Sequence, residues 1–477
     1  IAPLQEALLR EAGRRGGVTE EPRGAPPVGS AWSPSAGSSR SRVLTQEELA
    51  LMEAHFESQV ATPFTSLDVG SVPPYVRAAL VRARDLEATS GFAAWQLEQQ
   101  ALLTQWEVEH GPAQRACEAA VLRRDPDIAP GCSRIRLPFM LSLMRKMGMS
   151  PTTLRFIERG FSEGFRYAGG DIARTGLYKE VPPEKSLGKF AQVPLSSLKR
   201  PSRRHRGQKP RFRSAELRVP DEHTSEIYEA TQLELKVDPS ATDTLPFPQY
   251  KGPYHSPEDL PEPLYHPAFR FWVVQVTSHG GDPGRVVDDL TASGGNGVTY
   301  IKEKLQLPTL DDFVSTVNFI EELFPGQLGG SLQFWEQDLL KAFRQIPGDA
   351  HSRKFGAFVI RNPDTQVLEL MMHLSLPFGA RASPIIFCSI ALILCKLAAH
   401  YLGIPVMAFV DDFFSVSPSR FAEKNFAHFS WFMDLLGFPL KVAKEVAPTT
   451  QDDLLGVRVH LKGRRQNSFS LPQNKRD

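Results

Sequence analysis

The chain has 477 residues, 41% of them hydrophobic and 23% charged, which excludes a collagen-like repeat, a coiled-coil rod and a wholly disordered chain. At about 150 residues per domain, two or three domains are expected. Its 55 Lys and Arg against 54 Asp and Glu leave a net charge of +1, so bulk charge names no partner and charge has to be read locally.

Cys117, Cys132, Cys388 and Cys395 are too sparse for a disulfide framework, and none forms a CxxC pair, so a structural zinc site is not expected and a reducing compartment fits. The first residue is Ile1 rather than Met, which reads as a fragment or a segment of a larger product. No charged and apolar leader precedes the rest, so no secretory signal is expected. The longest largely apolar run, 385–395, is far short of the roughly 20 residues of a membrane span and reads as a buried helix. An intracellular protein, cytoplasmic or nuclear and without a membrane partner, is the expectation.

Residues 1–44, rich in Gly, Pro, Ser, Ala and Arg, read as disordered. Residues 45–180 read as a helical N-terminal region of unknown role, with helical spacing at 76–87, 92–108 and 137–147. Nothing in it has catalytic spacing. Residues 181–241 form a basic, Pro-containing linker. Within it lie Lys199, Arg200, Arg203, Arg204, Arg206, Lys209, Arg211 and Arg213, with no acid between them. That run is either a solvated linker or an arm that binds nucleic-acid phosphates. Residues 242–268, rich in Pro, Tyr and His, are expected to wrap irregularly over the next domain.

From residue 269 the pattern tightens. Strands are expected at 271–276 and 285–287, a turn around Asn296, and a helix at 310–324. A strand at 331–338 is followed by a turn and helix at 339–345, then a hairpin formed by 354–360 and 367–373. A buried helix covers 384–401. Strands at 406–410 and 413–416 flank Asp411-Asp412, with an amphipathic helix at 420–436 and a strand at 454–460 after them. Strands and helices mix without strict βαβ alternation, so the fold class is α+β.

Four Asp-Asp doublets occur, at 288–289, 311–312, 411–412 and 452–453. A solvated turn is the ordinary fate of such a pair. Asp311-Asp312 suits the first turn of the helix beginning at Leu310, and Asp452-Asp453 reads as a turn before a strand. Asp411-Asp412 is different, because it lies between Val406-Met407-Ala408-Phe409-Val410 and Phe413-Phe414 with no Gly or Pro turn former. Two poorly solvated, mutually repelling carboxylates need a compensating charge, and a divalent metal is the simplest. Asp338, ending an apolar strand, is the candidate third oxygen ligand, a set that suits Mg²⁺.

Phe409-Val410-Asp411-Asp412 resembles the (Tyr/Phe)-x-Asp-Asp box of reverse transcriptases. Leu376-Pro377-Phe378-Gly379 with Ala382-Ser383-Pro384 resembles their Leu-Pro-(Gln/Phe)-Gly…Ser-Pro box, and Asp338 to Pro347 their Asp-Leu-x-x-Ala-(Tyr/Phe)-x-Gln-Ile-Pro box. The spacing agrees, 39 residues from Asp338 to Pro377 and 34 more to Asp411. Arg285 to Asp289 resembles the fingers strand. Leu435 to Phe438, Lys444, Pro448 and Leu454 to Val457 resemble the segment ending the palm. The style is that of retrotransposon enzymes, gypsy-like or DIRS-like.

The resemblance spans about 265–461 and implies right-hand fingers and palm over 242–461, with an antiparallel palm sheet, and a tail at 462–477 without a thumb. It implies RNA-directed DNA polymerase activity on an RNA or DNA template with a primer, using deoxynucleoside triphosphates. Asp338, Asp411 and Asp412 would hold two Mg²⁺ ions, with Mn²⁺ as a substitute. Lys444 would protonate the leaving pyrophosphate. Arg285, Phe343, Phe378 and Gly379 would bind the nucleotide, Phe343 excluding a 2′-hydroxyl. Leu455 and Gly456 would grip the primer. Each of these types also has an ordinary reading, a core Phe or a surface Arg or Lys. The fingers box lacks a basic residue soon after Asp289, since no Lys lies between Lys251 and Lys302. An RNA-dependent RNA polymerase and an inactive palm-like nucleic-acid-binding remnant are the rival readings, and the oligomeric state is left open.

Overall fold

The computed structural model describes residues 62–64, 71–89, 91–182, 223–237, 244–255, 259, 267–273, 284–325, 332–463 and 466–472, all within one unit, Glu57–Asp477. The expectations for 1–44 and for the basic run 199–213 lie outside the described residues. Helices α1 (Pro74–Glu87), α2 (Phe92–Glu109), α3 (Gly111–Arg124), α4 (Leu137–Lys146) and α5 (Pro151–Glu163) come first. Several open on a proline in the first turn, where its fixed φ helps and its missing N–H costs nothing. Ser150 caps α5 by accepting from the Thr153 amide.

A later helix, α6 (Thr224–Leu235), leads into β1 (Tyr250–Tyr254), β2 (Ala268–Val273) and β3 (Arg285–Asp288). Then come α7 (Leu310–Leu323), β4 (Leu332–Asp338), β5 (Ala357–Arg361) and β6 (Leu368–His373). Helix α8 (Ser383–Leu402), the hairpin β7 (Val406–Phe409) and β8 (Asp412–Pro418), and α9 (Ser419–Leu436) follow. Strands β9 (Val446–Thr449), β10 (Gln451–Leu454), β11 (Val457–His460) and β12 (Ser468–Ser470) end the described chain.

The mixture is α+β, as the sequence implied. One sheet runs β1-β6-β5-β2-β3, with only β5 and β2 parallel. A second, antiparallel throughout, runs β7-β8-β4-β9. A third joins Thr62–Pro63, β12, β11 and β10. Alternation along β4 sends Leu332 and Phe334 into a core shared with α1 and α7, and Trp335 into the larger core around α8 and α9. The second sheet is therefore covered on both faces at that end. Helix α8 is long and apolar enough to cross a membrane, but 83% of its apolar window is buried inside the protein. The Asp311-Asp312 doublet belongs to a capping box. Thr309 accepts from the Asp312 amide, and Asp312 accepts from the Thr309 amide.

The helices of the N-terminal region pack onto the rest of the chain, where Leu103, Phe139 and Phe161 share a core with Phe387, Ile390 and Leu394 of α8. Three features differ from the sequence reading. Tyr250–Tyr254, expected to wrap irregularly, is an edge strand beside β6. The strand expected at 454–460 is two strands joined by a turn, and Asp452-Asp453, read as a turn, lies in β10. Part of the expected tail, Ser468–Ser470, is a strand paired to β11.

Candidate active site

Strands β4 and β8 pair in register, Leu332 opposite Pro418, Phe334 opposite Val416, Glu336 opposite Phe414, and Asp338 opposite Asp412. These residues share one face, which changes along its length from apolar to acidic. Directly opposed residues place their Cβ atoms about 5 Å apart, so Asp338 and Asp412 are neighbours by register alone. Phe409 pairs with Asp412, which leaves Val410 and Asp411 as a two-residue turn. Val410 sits at φ +59°, a left-handed conformation that costs a β-branched residue on the order of 1–3 kcal/mol. The packed hairpin holds it there and carries Asp411 at the tip beside the two strand-borne acids.

The acids perturb one another. Burial, then Asp411, pushes the Asp338 carboxyl up to about 6, against the pull of Lys444 and Lys441. Burial, then Asp411, Glu336 and Asp338, pushes Asp412 up to about 8. Lys444 Nζ lies 3.5 Å from Asp338 Oδ2. Lys441 anchors the same strand end, its amide donating to the Asp338 carbonyl at 2.8 Å.

Among the described residues no group of three or more His, Cys, Asp or Glu side chains is arranged to hold a metal ion as it stands. In donor type and charge, however, the residues fit a hard divalent cation. The donors are carboxylate oxygens, their mutual repulsion is what a cation relieves, and Asp338 Oδ1 is buried with no hydrogen-bond partner.

Glu336 is the acid the sequence reading missed. Burial, Asp338, Asp452 and Asp411 together raise it to about 7. Its signal was available, since a residue two before Asp338 on a strand shares its face.

Phe343 and the Phe378-Gly379 loop come together. Phe343, 8% exposed, packs between Phe378 and Phe387, each with its ring centroid 5.1 Å away. It thus joins the core while touching the loop. Gly379 has φ +99°, and a Cβ there would lie 2.0 Å from the Asp288 carbonyl oxygen, so only glycine fits. The Asp288 amide donates to the Phe378 carbonyl at 3.2 Å. Asn296, expected only as a turn residue, locks the same loop. Its amide nitrogen donates to the Gly379 carbonyl at 2.9 Å, and its oxygen accepts from the Arg381 amide at 2.8 Å.

Arg285 opposes Val273 at the far end of β3 from Asp288 and is not drawn to this loop by strand register. Leu455 (φ +49°) and Gly456 (φ +83°) form the two-residue turn joining β10 to β11, both in the left-handed region that such a hairpin requires.

No family model matches the sequence, and no curated protein matches it. Among solved structures, it is similar to a foamy viral protease-reverse transcriptase in complex with double-stranded DNA, at 13% identity and a TM-score of 0.35 over 71% of this chain and 47% of that one. It is also similar to a foamy viral protease-reverse transcriptase in complex with an RNA/DNA hybrid, at 16% identity and a TM-score of 0.31 over 44% of this chain. The chain spans about half the length of the first and 24% of the second.

Proposed function

We propose that the chain is the fingers and palm of a retrotransposon reverse transcriptase, which adds deoxynucleotides to a primer 3′-end on an RNA or DNA template and releases pyrophosphate. The observation that carries this reading is the gathering of Asp338 and Asp412 at one end of one sheet face with Asp411 in the adjoining turn, where burial and mutual repulsion raise the pKa of Asp338 and Asp412. Asp338, Asp411 and Asp412 would hold two Mg²⁺ ions, or Mn²⁺, which when bound supply Lewis-acid activation of the primer hydroxyl and neutralise triphosphate charge. The protein's own part is positioning and charge placement. Lys444, its Nζ 3.5 Å from Asp338 Oδ2, would protonate the leaving pyrophosphate. Gly379 lets backbone approach the nucleotide, Phe378 and Phe343 wall the sugar, and the Leu455-Gly456 turn meets the primer. Arg285 would reach the triphosphate.

The test is primer extension on RNA and DNA templates with Mg²⁺, with Asp411→Asn as the control. No extension by the parent chain on either template would sink the reading.

Sugar choice gives a sharper expectation. Phe343→Val should raise ribonucleotide use relative to deoxynucleotide by about tenfold, the scale of a small volume change in an apolar pocket. Matched single-nucleotide kinetics decide it. Unchanged discrimination with a lowered melting temperature would leave Phe343 as a core residue only.

The basic run, Lys199 to Arg213, is proposed to follow a phosphate backbone. Roughly three to five of its eight cations engaging a single strand, at about 0.7 slope units each, would make deletion of 199–213 flatten the log affinity against log salt by about two units or more. Unrelated sequences should be affected alike. An unchanged slope would make the segment a spacer.

A further inference from the structure

Behind the Phe378-Gly379 loop lies a buried set of charges that the carboxylate chemistry does not use. Arg270 and Asp288, both without solvent exposure, form a two-point ion pair, Nε to Oδ1 at 2.9 Å and Nη2 to Oδ2 at 2.8 Å. His373 Nε2 donates to Asp288 Oδ2 at 2.8 Å, and His373 Nδ1 accepts from Arg344 Nη1 at 3.0 Å. Arg344 Nη1 also donates to the Leu376 carbonyl at 3.2 Å. Its guanidinium carbon lies 5.4 Å from the Phe378 ring centroid, within cation–π range.

Two arginines with only Asp288 between them would leave one buried positive charge uncompensated. The second negative charge comes from Glu234, near the end of α6, well before the first strand of the five-stranded sheet. Glu234 Oε2 lies 3.2 Å from Arg344 Nε and accepts from the Tyr250 hydroxyl. That hydroxyl in turn accepts from Arg344 Nη2 at 2.7 Å and Arg270 Nη1 at 3.1 Å. One turn earlier on α6, Thr231 Oγ1 accepts from Arg270 Nη1 at 2.9 Å.

We infer that α6 is a built-in brace of the nucleotide pocket, and that Glu234 and Thr231 are positioning residues acting through Arg344 and Arg270 on both walls of that pocket. Arg344 follows Phe343 directly in sequence and contacts the Leu376 carbonyl and the Phe378 ring. Arg270 fixes Asp288, whose amide bonds the Phe378 carbonyl and whose own carbonyl fills the space a Gly379 side chain would need. The naming of this loop as a nucleotide pocket rests on the polymerase reading, but the bracing itself does not. Thr231 is buried, bonded to Arg270, and Glu234 is turned onto Arg344 and Tyr250, so both would act through these partners.

The test is backbone amide exchange on the full chain. Glu234→Gln keeps the shape and removes the charge, and Thr231→Val removes one acceptor. Each is expected to lower protection of 374–381 and 286–297 by about tenfold or more, the scale of losing a hydrogen bond to a charged group. Amides of β4 serve as the internal reference and should be unchanged. Unchanged exchange in the loop, or an equal loss in β4, overturns the inference. Where Glu234→Gln does not fold, Thr231→Val decides by the same criterion.

A second readout uses extension kinetics, where KM for the deoxynucleotide should rise several-fold while kcat changes less. Equal kcat and KM in the variant and parent would overturn the pocket role. A parent chain that extends no primer would sink the polymerase reading and leave the exchange test standing.

Discussion

Replacing Asp338 or Asp411 with Asn is expected to lower primer extension by about a thousandfold or more with the fold intact, because a neutral amide holds Mg²⁺ poorly and metal-assisted phosphoryl transfer has no substitute for the lost charge. Asp412→Asn should damage extension less severely. Single-nucleotide extension rates, with melting temperatures for each variant, check this. Full activity in either of the first two would remove the metal-site assignment.

The same acids give a stability effect of opposite sense. Asp412 and Asp338, held up to about 8 and about 6, bind protons more tightly in the folded chain than in the unfolded one, where Asp titrates near 3.9. Folding therefore takes up protons between about pH 4 and pH 8, and these residues make stability fall as pH rises through that window. Asp412→Asn removes one of the repelling charges. Without divalent ions it should be more stable than the parent chain at pH 8, by on the order of 1–2 kcal/mol, and equal to it near pH 4. Thermal melts at the two pH values decide it, and a variant less stable at pH 8 would contradict the crowding of these carboxylates.

Much of this site was legible in the sequence because its signals are local. Strand β4 shows an apolar face in Leu332 and Phe334, and the apolar run 385–395 within α8 is too long for a strand. Asp411-Asp412 stood out because two charges in an apolar stretch contradict their surroundings. The turn itself was not legible, since Val410 adopts a conformation its residue type disfavours and only packing across β4 and β8 compels it.

Other features depended on distant partners. Tyr250–Tyr254 is a strand because β6, far along the chain, offers it an edge. Glu234, Arg270, Asp288, Arg344 and His373 each look like ordinary surface residues when read one at a time. Nothing in their spacing announces that they meet, because the contact order that joins them is set by sheet topology. The Asp288-Asp289 doublet shows the limit plainly. Asp288 is buried on Arg270, while Asp289 accepts from the Thr291 and Ala292 amides in a turn.

Asp288→Ala is expected to be among the most destabilising single changes in the chain, costing about 3–5 kcal/mol, because it strands the Arg270 guanidinium without its counter-charge in a site closed to water. Burial alone would raise the Asp288 carboxyl, but Arg270 and then His373 overrule it and hold the group well below the usual carboxylate range. Its stabilisation is therefore fully present above about pH 4 and is lost only as pH falls through the depressed folded value, the reverse of the Asp412 case. Burial in turn lowers His373 to about 4, so above that pH it stays neutral and donates to Asp288 through Nε2. The paired substitution Arg270→Met with Asp288→Leu separates lost charge balance from lost packing. Removing both ions at once should recover most of the stability lost in Asp288→Ala, since apolar groups of similar volume replace a buried ion pair at little net cost. Denaturant unfolding of the parent, the single and the double variant measures this. A double variant as unstable as the single would show that the cost lies in repacking beside Phe358, over which Arg270 sits 3.6 Å from the ring centroid, and not in an unpaired charge.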